Sequence, residues 1–451
     1  MKLTQAFGWL AVVRLGLVQA SLGAMVVLAT STLNRIMVVE LALPALVPGL
    51  LVGFHYAIQL VRPRMGFGAD RGRRCTPWMV GGVATLAVGG NLAAWGTIQM
   101  AADFGWGLTL CLCAFAMIGL GVSACGTSLL ALMSKRVPDH MRAPAATTVW
   151  VMMIMGFAVT AVTVGRLIDP YSPERLMQVT AGLGLVITAL TVLSVWGLEQ
   201  GTADVPVKEQ GHALRHARDF KQALALAWQD PQARLFTVFV FLSMLAYSSQ
   251  DLVLEPFAGA VFGMSPGETT QLSGVHHSGV LVGMLLVALA GSRRVHGRLG
   301  SVHHWMVGGC LVSALAMAGL ASAGWQGGSW PLKPNVVLLG VANGAFSIAA
   351  IATMMRLANA GDGASQGTRM GLWGAAQALA FGLGGVLGTA LSDVAHHWVG
   401  TSGGAYASVF FMESLMFLVS AACAVHVGRM SITGGVELPP SAPAWGHKGS
   451  T

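Results

Sequence analysis

Two acids in apolar surroundings are the residues of this chain most able to do chemistry. In QDLVLEPFAGAVFGMSPGETT (250–270), Asp251 and Glu255 stand four residues apart, so on a helix they share one face. Pro256 follows directly, and because it lacks an N–H it leaves a backbone carbonyl one turn earlier in need of a partner. A carboxyl at membrane depth is costly, so it faces a cavity, a counter-charge or a proton, unless the helix simply ends there at the interface. Counting 1.5 Å per residue from Leu235 puts Asp251 about 24 Å along its span and Glu255 one turn further, toward the outer side. Arg35 leaves the first span at a similar level. It is expected to bridge to Glu255 or Asp251 as a central polar pair or gate, and removing either partner would strand a charge in a poor solvent.

The elements that must position these groups follow from composition. With 451 residues, 54% hydrophobic, 10% charged and a mean hydropathy of +0.66, the chain is not that of a soluble protein. Twelve apolar runs of about twenty residues recur along it, each long enough to cross a hydrocarbon core of about 30 Å. The first covers 10–32 and the seventh 235–257. Six spans precede the longest polar segment and six follow it. The expected fold is therefore an all-α membrane protein, with twelve transmembrane helices in two pseudo-symmetric six-helix halves. The division is 1–198 for the N-terminal half, 199–234 for a cytoplasmic linker with an amphipathic segment, 235–428 for the C-terminal half and 429–451 for a disordered tail.

Charge sets the orientation. With the N-terminus in the cytoplasm, only Arg35, Arg166, Arg175 and Lys333 of the 26 Lys and Arg fall outside, and Arg14 lies within the first helix. The positive-inside rule then places both termini in the cytoplasm. The formal charge of +8 follows from this asymmetry and suits anionic lipid rather than nucleic acid. No cleavable signal peptide is expected, because residues 1–33 continue as a full span. The six cysteines form no zinc-type spacing, and no metal site is expected.

The halves resemble each other. An offset of about 220 residues sets LLVGFHYAIQLV (50–61) over QLSGVHHSGVLV (271–282), aligning Gly53 with Gly274 and His55 with His276, and a similar offset pairs Trp150 with Trp373, Gly165 with Gly388 and Asp169 with Asp393. Such symmetry belongs to transporter folds whose working site lies between two six-span halves. The loop GFGADRGRR (66–74) resembles the signature of the major facilitator superfamily between its second and third spans. Here Gly66, Asp70, Arg71, Arg73 and Arg74 supply the turn, a helix-capping acid and the cytoplasmic charge. The copy is one residue short before its final basic pair, which departs from the usual gating loop.

A narrower resemblance runs through RLGLVQASLGAMVVLATSTLNRIMVVELALP (14–44), HYAIQLVRPRMGFGADRGRRCTPW (55–78), QDLVLEPFAGAVFGMSPGETTQL (250–272) and GTRMGLWGAAQALAFGLGG (367–385). These segments look like the PucC family, a photosynthetic branch of the major facilitator fold in which some members are labelled bacteriochlorophyll synthase chains. The resemblance implies a role in light-harvesting complex assembly, with bacteriochlorophyll or a precursor as bound cargo. It implies antenna polypeptides, the lipid bilayer and pigment-synthesis enzymes in the membrane as partners. A chlorophyll-type pigment needs an axial ligand to its magnesium, commonly a neutral imidazole in a dry groove. His55 and His276 are the expected ligands, each with a glycine two residues earlier to let a flat ring approach. His303, His304, His396 and His397 fall at interfaces or loops, where exposure to solvent is expected.

Other polar residues are expected to line a cavity: Arg14, Gln19 and Asn34 on the first span, and Arg369, Trp373 and Gln377 on one face of the eleventh. Three function classes fit: a non-enzymatic pigment-handling assembly factor, a transporter of a small solute coupled to protonation of Asp251 or Glu255, and an accessory chain of bacteriochlorophyll synthesis. A prenyltransferase activity ranks last, because paired Asp-rich clusters for magnesium and diphosphate do not occur on one face.

Overall fold

The computed structural model describes residues 7–59, 74–199, 228–290, 301–359 and 366–433, apart from a few helical side chains including that of Arg369. Among the described residues there are twelve helices and no strand. In chain order they are α1 (Trp9–Val27), α2 (Leu46–Ile58), α3 (Thr76–Gln99), α4 (Phe104–Arg136), α5 (Asp139–Ile168), α6 (Pro173–Val195), α7 (Pro231–Phe262), α8 (Pro266–Ala290), α9 (Val302–Gln326), α10 (Leu332–Asn359), α11 (Gln366–Val399) and α12 (Ser402–Thr433). Eleven are long and apolar enough to span a membrane; the described part of α2 has 13 residues. With α2 counted as a crossing as well, the start of α1 and the end of α12 lie on one side, here called the terminal face, opposite a distal face.

Local chemistry explains where helices begin. Asp103, Ser172, Asp230 and Ser301 each accept a backbone N–H from the first turn that follows, and Pro173 and Pro231 occupy first-turn positions where no N–H is missed. Gly263, at φ 66°, ends α7 in the left-handed region that glycine tolerates.

Two spans run further than the apolar pattern indicates. The first continues through π-helical turns at Leu28–Leu33 and Ile36–Glu40, so Arg35 stands on the helix instead of leaving it. The seventh passes through Pro256 to Phe262, which rules out a helix end at Glu255. The linker segment 200–227, the tail beyond Thr433, and Gly66, Asp70, Arg71 and Arg73 of the loop signature lie outside the described residues; Arg74 is exposed just before α3.

Each half has its own hydrophobic core, sealed by helix crossings that only glycine permits. A Cβ at Gly283 of α8 would stand 2.1 Å from the Val341 carbonyl oxygen, and one at Gly344 of α10 would stand 2.0 Å from that of Val280. The crossing repeats between halves. A Cβ at Gly119 of α4 would lie 2.8 Å from the His55 carbonyl, and one at Gly340 of α10 would lie 2.3 Å from that of His276. The same interval separates His55 from His276 and Gly119 from Gly340.

Candidate functional site between the halves

The halves meet along the π-helical extension of the first span (28–40) with α7 and α8, α2 with α11, and α5 with α8. α4 and α10, which both end on the terminal face, share no packed interface among the described residues. Near the distal face the contacts are polar and paired. Asp393, at the end of α11, accepts the backbone N–H groups of Ala45 and Leu46 at 2.8 Å each and so caps the start of α2. Its repeat partner Asp169, at the end of α5, accepts the Ser265 hydroxyl at 2.8 Å, where Ser265 and Glu268 cap α8. Each aspartate thus grips the start of the second helix of the opposite half.

Deeper in, the π-helical extension of the first span lies against α7 and α8. Ser31 donates to Ser273 at 2.8 Å, and Thr32 and Thr270 share a hydrogen bond of 3.0 Å. Asn34 Nδ2 donates at 2.8 Å to the carbonyl of Leu252, the group that Pro256 leaves without its helical partner. The proline therefore creates an acceptor in one half that an amide from the other half satisfies.

Arg35 does not pair as the spacing implies. Its guanidinium, 4% exposed, donates from Nη1 to Glu40 Oε1 at 2.7 Å and from Nη2 to the Met264 carbonyl at 2.8 Å, while packing on Gly259. The π-helical turns carry Glu40 back within its reach, so the acid of its own helix takes the position expected for Glu255 or Asp251. Arg35 still ties α1 to the turn between α7 and α8, and its charge reaches Glu255 through space. Tyr171, outside the spans, has its hydroxyl pKa raised by burial and by the Glu40 carboxylate, with Arg35 opposing. Since Glu40 is 37% exposed, solvent screens the pair. A double-mutant cycle of Arg35→Ala with Glu40→Ala, followed by thermal unfolding in detergent, should give a coupling of about 1 kcal/mol. Strict additivity, or a larger coupling to Glu255, would remove Glu40 as the partner.

The carboxyls of Glu255 and Glu413 are buried without a hydrogen-bond donor. Both carboxyl oxygens of Glu255 lack a hydrogen bond, although Ser31, Thr269 and Ser273 surround them. Asp251 stands beside Tyr247 and Glu413, and the Glu413 carboxyl on α12 is also buried and unpartnered. These unmet acceptors can take a proton or the donor of a bound molecule.

The histidines occupy different ground from that expected. His55 is buried with Nε2 at 2.8 Å from Gln59 Nε2. His276 is buried with Nε2 facing Gln250 at 3.3 Å and Asn343 at 3.4 Å. The glycines thought to admit a flat ring are already filled: Gly53 by Val386 of α11 and Gly274 by Val162 of α5, each 2.6 Å from a Cβ placed there. With their carbonyls pressed on Gly119 and Gly340, neither imidazole has room for a macrocycle in this conformation, so the residues present do not fit a pigment there. They mark close helix crossings within each half.

The expected cavity residues are largely structural. Arg14 donates to the carbonyls of Ser194 at 2.8 Å and of Trp196, capping the end of α6. Trp373 is fully buried edge-on against Phe236, and its indole N–H reaches the Ala233 carbonyl at 3.4 Å. Gln19 and Gln377 point their amides at the sulfurs of Met153 and Met244. Arg369 lies on the first turn of α11, its side chain outside the described set. Gln250 and Asn343 were missed, since single amides in apolar runs carry no spacing signal; Glu40 was visible in the VVEL segment but its partner was not.

The comparisons agree with this architecture. A bacterial homologue of the human lysosomal transporter Spinster, in an inward-facing and occupied conformation, superposes with a TM-score of 0.66 at 15% identity, over 95% of this chain and 98% of that one. A D-xylose–proton symporter superposes with a TM-score of 0.68 at 13% identity, over 91% and 97%. These likenesses give the major facilitator fold. In sequence, the chain is 46% identical over 432 residues to the "Bacteriochlorophyll synthase 44.5 kDa chain" of Rhodobacter capsulatus, covering 96% of this chain and 98% of the relative. It is 30% identical to "Protein PucC" of the same organism, over 91% of each. The family described as "PUCC protein" matches residues 32–432, and the chain belongs to that family.

Proposed function

We propose that the chain is a non-enzymatic membrane assembly factor that binds or delivers bacteriochlorophyll while light-harvesting complexes are built. On this reading it sits in the bacterial inner membrane with its terminal face in the cytoplasm, and antenna polypeptides and pigment-synthesis enzymes are its partners. The observation that carries the reading is the near full-length similarity to a relative named for bacteriochlorophyll synthesis, on a fold made of two facing halves. A chain of this kind would handle a hydrophobic cargo by exposing and covering surface rather than by making bonds.

The test is to purify the protein from its native membranes in mild detergent, then extract and count the pigment per polypeptide. A fixed ratio of red-absorbing bacteriochlorophyll is expected. A colourless protein shifts weight to the second reading, a transporter of a small solute, which the buried unpartnered carboxyls of Glu255 and Glu413 favour. Solute-dependent proton flux in sealed vesicles, abolished in Glu255→Gln, would then be the decisive signal.

A further inference from the structure

A groove on the outer surface of the C-terminal half lies away from the interface between the halves. It runs between α9 and α10 with a volume of about 290 Å³, floored by Gly308 and Gly309, walled by Val312, Val341 and Ala345, and with His304 at its mouth. Gly309 is used in packing, since a Cβ there would lie 2.8 Å from Phe346. Gly308 is not: a Cβ there would meet nothing within 4 Å. Its missing side chain serves no helix crossing and leaves a flat, open floor. Along α9 the floor leads to Leu311 and Leu315, which are exposed as a lipid-facing surface.

The two adjacent histidines differ in their commitments. His303 is seated against α12, where a Cβ at Gly428 would lie 2.2 Å from its ring. His304 is exposed, and its Nδ1 is 2.8 Å from the Ser301 hydroxyl. That hydroxyl also accepts the His304 backbone N–H at 3.4 Å, which holds it in place. In the tautomer that donates Nδ1–H to Ser301, the lone pair of Nε2 is available, and no described residue hydrogen-bonds to it. An imidazole fixed on one nitrogen and open on the other is how proteins present a metal ligand.

Resting on the pigment-handling reading above, we propose that this groove seats the magnesium tetrapyrrole. His304 Nε2 takes one axial position of the magnesium, the macrocycle lies over Gly308, and the apolar tail follows Leu311 and Leu315 into the bilayer. Ser301 acts as the positioning residue. The groove holds only part of a macrocycle, and the remaining edge faces lipid, open to a partner that receives the pigment.

The full chain in lipid nanodiscs, offered bacteriochlorophyll and separately its magnesium-free counterpart, tests the placement. Retained pigment and the absorption signature of axial ligation are read in wild type, His304→Phe, Ser301→Ala and Gly308→Leu. Wild type should retain the magnesium form and not the metal-free one. His304→Phe and Gly308→Leu should each lose most of it with unchanged thermal midpoints, and Ser301→Ala, which also removes the cap of α9, should weaken binding about tenfold. Equal retention of both pigments, as expected of a groove that takes any lipid chain, overturns the placement. So does wild-type retention in His304→Phe and Gly308→Leu, while pigment handling itself stands. A wild type that retains neither pigment overturns both readings.

Discussion

Gly344→Ala is expected to cost at least about 3 kcal/mol and to leave little folded protein in the membrane. The added methyl would stand 2.0 Å from the Val280 carbonyl oxygen, a backbone atom that cannot turn aside as a side chain would. To admit it, α8 and α10 must separate, and the facing pair of Gly283 with Val341 would open with them. The His276 carbonyl on Gly340 lies in the same seam, so the hydrogen bonds from Gln250 and Asn343 to the His276 ring would be strained together. Thermal unfolding in detergent reads the loss. Gly308→Ala, on the same half with nothing within 4 Å, is the control and should be within about 0.5 kcal/mol of wild type. Equal behaviour of the two would mean that the α8–α10 crossing is looser than described.

The second large effect is on conformation. Replacing both Asp169 and Asp393 by Ala removes the two aspartate grips that join the halves near the distal face. Each cap contributes about 0.5–2 kcal/mol, more where the acceptor is charged. Losing about 3 kcal/mol of closure in total shifts the balance between conformations roughly a hundredfold. A cysteine at Ser273, buried where α8 meets α1, reports the shift in a chain whose six native cysteines are changed to Ser. Its labelling by a thiol reagent should accelerate by about that factor. The single replacements should each give an intermediate rate, because the two grips sit on separate helix pairs. An unchanged labelling rate in the double variant would show that these aspartates only cap helices.

Much of this arrangement could be read from residue types, because the forces that set it are strong and local. The cost of an unpaired backbone group at Pro256 predicts a partner for the freed carbonyl, and Asn34 supplies it. The repeat that aligns His55 with His276 and Asp169 with Asp393 is real in space, with each pair meeting matched surroundings. What the pattern missed was competition between equivalent partners. Glu40 is only five residues from Arg35, a separation that an α-helix turns away and a π-helical turn brings round. No propensity in IMVVE announces that turn. The histidines were misplaced for a related reason: a glycine two residues earlier invites either a flat ligand or another helix, and only packing decides which. His304 shows the converse, since its position near a span end suggests solvent and conceals the groove beside it.

The contacts between the halves divide into two mechanical kinds. The aspartate grips behave as catches, which hold until a charged group is pulled from its donors. The pairs of Ser31 with Ser273 and Thr32 with Thr270 behave as a bearing. Their hydroxyls are short and neutral, and the Thr270 hydroxyl already has the Pro266 carbonyl, 2.8 Å away on its own helix, to fall back on. Sliding α1 past α8 there strands no polar atom on Thr270. With each half stiffened by its glycine crossings, motion concentrates on this lubricated surface, and the catches, together with the bonds from Asn34 to Leu252 and from Arg35 to Met264, set how often it moves.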